Sequence, residues 1–338
     1  MAGLAGKKSD STQMDADRGR TGGAKDLTIH ALSEKRRENL NDIVLYCKSY
    51  RRDFLRLKRL LASLQVCNSD EIPFYVSTPK TDQSLLLEIV GEAGYQWVSD
   101  EEIIAANPRV ETGKYRGMPG GLAQAIVKSE FWRLGLCQNY LCIDSDSVFI
   151  RKFTKADFLA VDGYPYTVLH QNKEFFQLAT NRGHLKVEQD LRAESERVKA
   201  LLGRVGPNYY CAPAPFIWSA KVWDSLDREY LKPNGLTLWD AVTPQYPETL
   251  LYGEALLQYQ AIPIRAIEPL FRIYHYDWQF SLSKRLGETQ DKLKQNFIGV
   301  IYQSNWESEL DFGASNKSVL SRLVKRLKRS LRHIQSYF

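Results

Sequence analysis

Two aspartates one residue apart end an apolar, strand-like run near the middle of the chain. Residues 140–150 read YLCIDSDSVFI, so Asp144 and Asp146 interrupt an apolar pattern that resumes at Val148. Burying carboxylates at the end of a strand is costly unless a cation receives them. Ligands of open α/β sheets bind at the carboxyl ends of the strands, and hard divalent metals bind carboxylate, phosphate and water oxygens. Asp144 and Asp146 are therefore a candidate site for a divalent metal and a nucleotide diphosphate.

The spacing of this pair is weak evidence by itself, because Asp15 and Asp17 repeat it in a polar segment without a strand. The context distinguishes the later pair, since apolar residues lie on both sides of it and a helical pattern precedes it. A structural alternative remains open, in which Asp144 caps a turn and Asp146 faces water.

Strand and helix patterns alternate around the aspartate pair. Short apolar runs predict strands at residues 43–47, 73–77 and 96–99. Apolar residues at helical spacing predict helices at 54–64, 84–93 and 122–136. The alternation predicts an α/β fold with a mostly parallel sheet flanked by helices. The second half is less regular, with predicted helices at 183–202, 220–226 and 247–260 and predicted strands at 166–170, 216–218, 262–267 and 271–276.

Composition limits the class of protein. The chain has 338 residues, 43% of them hydrophobic, enough for one large α/β domain. No apolar run approaches the roughly 18 residues that cross a bilayer, and the N-terminal stretch lacks the apolar core of a secretory signal. The five cysteines show no metal-ligand spacing. These features predict reduced thiols and a cytoplasmic location.

The positive charge is concentrated at the C-terminus. The net charge is +6, and no acidic residue follows Asp311. Basic residues after that point are Lys317, Arg322, Lys325, Arg326, Lys328, Arg329 and Arg332. The rest of the chain is close to neutral, which argues against a nucleic-acid partner.

Apolar residues recur every three or four positions in the same C-terminal segment. They are Leu320, Leu323, Val324, Leu327, Leu331, Ile334 and Phe338. The pattern predicts a basic amphipathic helix over residues 313–338. Such a helix either lies on an anionic membrane, which would place the protein at the inner face of the membrane, or packs its apolar stripe on the domain before it. Residues 1–38, rich in Gly, Ser, Asp, Lys and Arg, predict a disordered leader, which leaves 39–312 as one globular domain.

The order of four segments carries a family resemblance. They are the first strand ending at Tyr50, the helix before YLCIDSDSVFI, the run PAPFIWSAKVW and the helix PETLLYGEAL. Together, over about residues 42–285, they resemble bacterial glycosyltransferases of the GT-A fold, and more narrowly a glycosyltransferase-like family found among surface-polysaccharide genes. The resemblance implies metal-dependent transfer of a sugar from a nucleotide-sugar donor to a saccharide or lipid-linked acceptor in surface polysaccharide synthesis.

The resemblance also implies roles for particular residues. Asp146 would bind Mn²⁺ or Mg²⁺ directly, and Asp144 would reach the metal through water or touch the ribose. His275 would be a third metal ligand, although a histidine that only ends a strand is an equal alternative. Tyr50 would stack on the nucleobase, and Lys128 would reach a phosphate unless it is simply solvated.

Three carboxylates are candidates for the group at the reacting carbon: Glu248, Glu254 and Asp277. Glu248 and Glu254 are six residues apart on one predicted helix and point to different faces, so they do not easily share a pocket. Glu248, nearer the start of that helix, is preferred. The sequence lacks an acidic pair that would mark a base and an HxxGxxKPW-like run that would mark a retaining family, so the stereochemistry stays open.

Two other functions fit the same strand. Haloacid-dehalogenase-like phosphatases use a strand followed by D-x-D-x-(T/V), which Asp144, Asp146 and Val148 match; Asp144 would then be the nucleophile and Asp146 the general acid. Against this, several strand-helix units precede the motif, and no later acidic pair is evident. A non-catalytic, membrane-associated sugar-binding protein is the third possibility.

Overall fold

The computed structural model describes residues 40–169, 171–183, 185–209, 215–307 and 310–312, together with Leu320, Leu323, Val324, Leu327 and Leu331. The predicted leader at 1–38 lies outside the described residues. Within the described part of the chain, no helix is both long and apolar enough to cross a membrane.

The strands form three sheets. In chain order they are β1 (Asn41–Lys48), β2 (Phe74–Thr78), β3 (Gln96–Ser99), β4 (Cys137–Cys142), β5 (Ser147–Phe149), β6 (Tyr166–Val168), β7 (Phe216–Ser219), β8 (Arg265–Ile267), β9 (Phe271–Tyr274) and β10 (Gly299–Tyr302). The main sheet has the order β3-β2-β1-β4-β7. Its first four strands are parallel, and β7 runs antiparallel to β4.

The helices connect and cover these strands. The α-helices are α1 (Phe54–Cys67), α2 (Gln83–Val90), α3 (Asp100–Ala105), α4 (Gly120–Glu130), α5 (Lys173–Asn181), α6 (Leu185–Leu201), α7 (Ala220–Leu226), α8 (Leu238–Ala241), α9 (Glu248–Tyr259), α10 (Asp277–Arg285) and α11 (Gln290–Asn296). Short 3-10 helices occur at Arg51–Asp53, Lys80–Asp82, Thr112–Gly117, Phe131–Leu134 and Lys155–Asp157, and a π-helix at Asp227–Leu231.

Strand β1 lies between two hydrophobic cores. Val44 and Tyr46 face one core, where the Tyr46 ring stacks on Phe131 with ring centres 3.8 Å apart. Ile43, Leu45 and Cys47 face the other core. A strand covered on both faces reads as a continuous apolar run, because successive side chains point to opposite faces. The two-sided burial of β1 holds its carboxyl end in place.

Helix α1 supplies much of the second core. Its residues Leu57, Leu60, Leu61 and Leu64 are buried there, at the spacing that places side chains on one helix face. The contact fixes the N-terminus of α1 beside the end of β1. Two smaller sheets complete the fold: β5-β10-β9, in which β10 is antiparallel to β5 and parallel to β9, and the parallel pair β6-β8.

The predicted α/β fold, with a mostly parallel sheet flanked by helices, is confirmed. The helix predicted at 122–136 is instead α4 followed by the 3-10 helix Phe131–Leu134, after which Gly135 has a φ of +64°. Helix α3 was not predicted, although Ser99 and Glu102 form the capping box that signals its start. The bounds 39–312 and 313–338 stay a prediction.

Candidate functional site

Polar residues collect where the four parallel strands end. Lys48 ends β1, Thr78 ends β2, Asp100 follows β3 and Asp144 follows β4 by two residues. The carboxyl ends of parallel strands meet at one edge of the sheet, where open α/β proteins bind ligands. The first three of these side chains are buried. This edge is therefore the candidate site.

Asp146 is held in a turn between β4 and β5. The Ser147 amide donates to the Asp144 carbonyl at 3.0 Å and closes the turn. The Asp146 side chain accepts a 2.8 Å hydrogen bond at Oδ2 from the Ser304 amide, just beyond β10. Its Oδ1 is buried and has no hydrogen-bond partner among the described residues. Asp146 is only 5% exposed, so the structural alternative in which it faces water is wrong.

Asp144 is neutralised by a buried lysine. Lys128, on α4, forms an ion pair with Asp144 Oδ1, and Gln124 Nε2 donates to the same oxygen at 3.3 Å. The Asp144 side chain is 26% exposed and that of Lys128 only 7%. Burial alone would lower the pKa of Lys128, but the negative charge of Asp144, followed by that of Glu248, raises it above its ordinary value. Lys128 is therefore a buried ammonium ion, and the solvated alternative is wrong.

The unpaired carboxylate of Asp146 is electrostatically costly in this environment. Burial, followed by the negative charge of Asp144, raises the pKa of Asp146 to about 7. The Ser304 amide and Lys128 act in the opposite direction. A cation beside Oδ1 would remove both penalties, since it would supply the missing partner and the missing positive charge.

A further aspartate, Asp53, extends the negative charge of the site. Asp53, at the end of the 3-10 helix after β1, interacts electrostatically with both Asp144 and Asp146, and burial raises its pKa. The fully buried Arg56 pairs with Asp53 at 2.8 Å and also with Asp311. Carboxylates therefore outnumber cations around the turn. These residues carry no local signal in the sequence, because Asp53 approaches the aspartate turn, and Asp311 contacts Arg56, only through long-range packing.

A second polar cluster lies at the ends of β1 and β3. Lys48 Nζ pairs with Asp100 Oδ2 at 2.9 Å, and the Tyr115 hydroxyl donates to the same oxygen at 2.7 Å. Burial raises the pKa of Asp100. Asp100 Oδ1 and Ser49 Oγ are buried without hydrogen-bond partners among the described residues. Tyr50 follows Ser49 in the sequence and is 40% exposed, so its ring is accessible.

The three candidate carboxylates have different surroundings. Glu248 is the first residue of α9, which packs against α4, and it interacts electrostatically with Lys128 and Asp144. Burial raises the pKa of Glu248. Glu254, on another face of α9, forms a buried ion pair with Arg204, in which Nη2 donates at 2.9 Å. Asp277 begins α10 and accepts a 2.9 Å hydrogen bond from the Trp278 amide. Glu248 is thus coupled to Asp144 and to the lysine that neutralises it.

His275 follows β9 and lines a cavity to which neither Asp144 nor Asp146 contributes. Its backbone amide donates to Gln279 Oε1 at 2.9 Å, and burial lowers its pKa to about 4. Over the described residues, no group of three or more His, Cys, Asp or Glu side chains is arranged to hold a metal. Metal ligation by His275 stays a prediction.

The aspartate pair nevertheless fits a divalent cation. Magnesium-type sites commonly use one or two carboxylates and fill their other positions with phosphate and water oxygens. The buried, unpartnered Oδ1 of Asp146 is such a ligand, and Asp144 is the second carboxylate.

The cysteines that the structure describes are buried free thiols: Cys47, Cys67, Cys137 and Cys142.

Solved structures similar to this chain include sugar-transferring enzymes. An active-site mutant of LgtC aligns with a TM-score of 0.41 and 13% identity, covering 76% of this chain and 86% of that chain. Galactosyltransferase LgtC in complex with donor and acceptor sugar analogs aligns with a TM-score of 0.40 and 12% identity over the same shares. The bifunctional glycosyltransferase WbbM aligns with a TM-score of 0.44 and 9% identity, covering 77% of this chain and 45% of WbbM. No protein-family model and no curated protein sequence matches the chain.

Proposed function

We propose that this protein is a glycosyltransferase that binds the diphosphate of a nucleotide sugar at Asp144 and Asp146 with a divalent cation. One observation carries the proposal: the Asp146 carboxylate is buried at the carboxyl edge of the sheet with Oδ1 unpartnered. A buried carboxylate oxygen without a partner is costly and is usually satisfied by a ligand or an ion. Mn²⁺ or Mg²⁺ and a diphosphate supply such a partner.

The residues around the pair have complementary parts in this proposal. Asp146 would hold the metal through Oδ1, with Asp144 alongside. When bound, the metal would neutralise the diphosphate as it leaves with the nucleotide. Lys128 holds Asp144 in one position through its ion pair. Tyr50, exposed at the end of β1, offers a ring for the nucleobase.

Glu248 is the proposed group at the reacting carbon. Its raised pKa makes it a better proton acceptor for an acceptor hydroxyl than an ordinary glutamate would be. It is also coupled to Lys128 and Asp144, the residues that would face the donor. Glu254 is already neutralised by Arg204, which makes it a structural residue in this proposal.

The strand order weighs against the phosphatase alternative. That mechanism needs an acidic pair at the carboxyl end of a strand close to Asp144. On one side of β4, the neighbouring strand β7 is antiparallel, so its carboxyl end lies at the opposite edge. On the other side, β1 ends at Lys48 and is followed by Ser49 and Tyr50. The segment after β1 brings one acidic residue, Asp53, to the aspartate turn, and Asp53 is paired with Arg56. Neither neighbour therefore delivers the acidic pair that the phosphatase mechanism needs.

The exposed C-terminal leucines favour a membrane surface as a second partner. Leu320, Leu323, Val324, Leu327 and Leu331 are helical and 43% to 74% exposed. This exposure agrees poorly with a stripe that packs on the domain. The basic residues of the same segment complement an anionic leaflet, each contributing on the order of 1 kcal/mol. A lipid-linked acceptor for surface polysaccharide, at the cytoplasmic face, would make that position useful.

Donor hydrolysis tests the proposal. Purified protein is incubated with UDP-, GDP- and dTDP-sugars with Mn²⁺ or with EDTA, and the release of nucleoside diphosphate is measured. A transferase should release it slowly, only with metal, and Asp146→Asn should abolish the release. Release of inorganic phosphate from p-nitrophenyl phosphate would support the phosphatase alternative instead. Absence of both activities, with nucleotide binding retained, would indicate a non-catalytic sugar-binding protein.

A further inference from the structure

A cavity separate from the aspartate site lies along β9 in the β5-β10-β9 sheet. Its volume is about 480 Å³, within the range of small-molecule sites. Residues of β9, of the segments on either side of it, of α5 and of the end of α11 line it. Those that matter here are Glu174, Phe175, Glu268, Arg272, His275 and Asn296. Lys128, Asp144, Asp146 and Glu248 do not line it. It is therefore distinct from the aspartate site.

Phe175, which lines this cavity, belongs to a group of stacked aromatic rings. The rings of Phe175 and Tyr276 are nearly parallel, 7° apart in orientation, with centres separated by 6.4 Å. Tyr276 is in turn nearly parallel to Trp278, at 13° and 5.7 Å. Phe175 also contacts the ring of His275 at 5.3 Å. The stacked neighbours hold the Phe175 ring in place at the cavity wall, and an aromatic ring there suits the C–H face of a ligand ring that also carries polar groups.

The polar groups of the cavity are available for hydrogen bonds. The side chains of Glu174, Glu268 and Asn296 form no hydrogen bond or ion pair with any described residue. Neither ring nitrogen of His275 has a hydrogen-bond partner among those residues. Carboxylates accept from hydroxyl groups, and the amide and imidazole can both donate and accept.

The charges of the cavity disfavour a phosphate. Its guanidinium, Arg272, already pairs with Glu288 at 3.1 Å and donates to Ser283 Oγ at 3.3 Å. Glu174 and Glu268 leave the lining negative, which repels an anionic ligand. A neutral ligand with many hydroxyls and one apolar face satisfies both the rings and the carboxylates.

We infer that this cavity is a saccharide subsite. If the protein is the glycosyltransferase proposed above, the subsite holds part of the acceptor. Asp146 lies beside the end of β10, and His275 follows the end of the neighbouring β9. In the β5-β10-β9 sheet, β5 and β9 are two strand spacings apart, about 10 Å. An acceptor of several sugar units could occupy the cavity and still present a hydroxyl at the aspartate site.

Saturation-transfer NMR with lactose, cellobiose and chitobiose at millimolar concentration tests the inference. At least one disaccharide should receive saturation from the wild-type protein, and addition of UDP with Mn²⁺ should leave that signal in place. Loss of the ring in Phe175→Ala should weaken the affinity roughly tenfold, the effect of about 1.4 kcal/mol. Glu268→Gln keeps the shape of an exposed side chain but removes its charge, and it should also weaken the affinity for the disaccharide. The matched control is Leu185→Ala, an exposed apolar residue outside the cavity, which should bind as wild type.

Metal-dependent donor hydrolysis, measured on the same samples, separates this inference from the proposed function. Saccharide binding that depends on Phe175, without any donor hydrolysis, leaves the subsite standing and contradicts the transferase. Donor hydrolysis by a protein that binds none of the disaccharides overturns the subsite. Binding that survives both Phe175→Ala and Glu268→Gln also overturns it, because the sugars would then bind elsewhere.

Discussion

Removal of each aspartate charge should change the protein in opposite ways. Asp146 is 5% exposed with Oδ1 unpartnered, whereas Asp144 is 26% exposed and paired with Lys128. Asp146→Asn removes a buried, uncompensated charge, so the metal-free protein should become more stable. Asp144→Asn leaves the Lys128 ammonium buried without its partner, so the metal-free protein should become less stable.

The magnitudes follow from the same surroundings. A charge pair about 4 Å apart is worth on the order of 4 kcal/mol at an effective dielectric constant near 20. Relief of the burial cost of Asp146 offsets part of this, so we expect Asp146→Asn to weaken metal-dependent nucleotide binding by about 2–3 kcal/mol, roughly 30- to 150-fold. Asp144→Asn should destabilise the fold by about 2 kcal/mol, less than a fully buried pair because Asp144 is partly solvated.

Thermal unfolding without metal and calorimetric titration with nucleoside diphosphate and Mn²⁺ measure both effects. The expected pattern is a higher Tm with much weaker binding for Asp146→Asn, and a lower Tm for Asp144→Asn. Asp42→Asn, at an exposed position in β1, is the control and should match wild type. Unchanged affinity in both aspartate variants would refute the metal-site reasoning, whatever the melting temperatures.

Three further results are expected. Deletion of residues 316–338 should abolish flotation with anionic liposomes while donor hydrolysis continues; an unfolded or aggregated product would mean that the segment belongs to the core. Glu248→Gln should lower turnover at least about tenfold with metal affinity unchanged, and equal turnover in wild type and Glu248→Gln would remove Glu248 from the reaction. Glu254→Gln should instead mainly lower the free energy of unfolding, by roughly 3 kcal/mol, because Arg204 loses its buried partner. Burial lowers the pKa of His275 to about 4, so between pH 6.5 and 4 the unfolded chain binds a proton at this histidine and the folded protein does not. The free energy of unfolding should therefore fall over that range by up to about 1.4 kcal/mol per pH unit. Urea unfolding of His275→Gln should show a weaker dependence of stability on pH, and the same dependence as wild type would mean that His275 is solvated.

The sequence predicted the first half of the fold because each element there has a strong local signal. The continuous apolar run of β1 and the spacing of Leu57, Leu60 and Leu64 in α1 each allow one interpretation. Strand β10 was not predicted, although residues 297–302 read FIGVIY, an apolar run typical of a strand. What this run does not indicate is its pairing with β5 and β9, which is decided by long-range packing.

The candidate site was predictable only in part for the same reason. The position of Asp144 and Asp146 after a strand could be read from the local pattern. The Ser304 amide that holds Asp146 is 158 residues away in the sequence, and the Arg56 contact to Asp311 also depends on the fold. Lys128 was identified as a candidate from the sequence, but only the folded structure shows that it is buried and paired with Asp144. Local patterns locate a strand end, whereas long-range contacts decide which groups surround it.

Anomalous scattering from crystals soaked with Mn²⁺ and a nucleoside diphosphate tests the central claim most directly. A metal at the aspartate pair should give a peak about 2.0–2.6 Å from Asp146 Oδ1, with diphosphate density on its open side. The same soak of Asp146→Asn crystals should lack the peak. Nucleoside diphosphate bound at the sheet edge with no peak at Asp146, or a peak that persists in Asp146→Asn, would contradict the account.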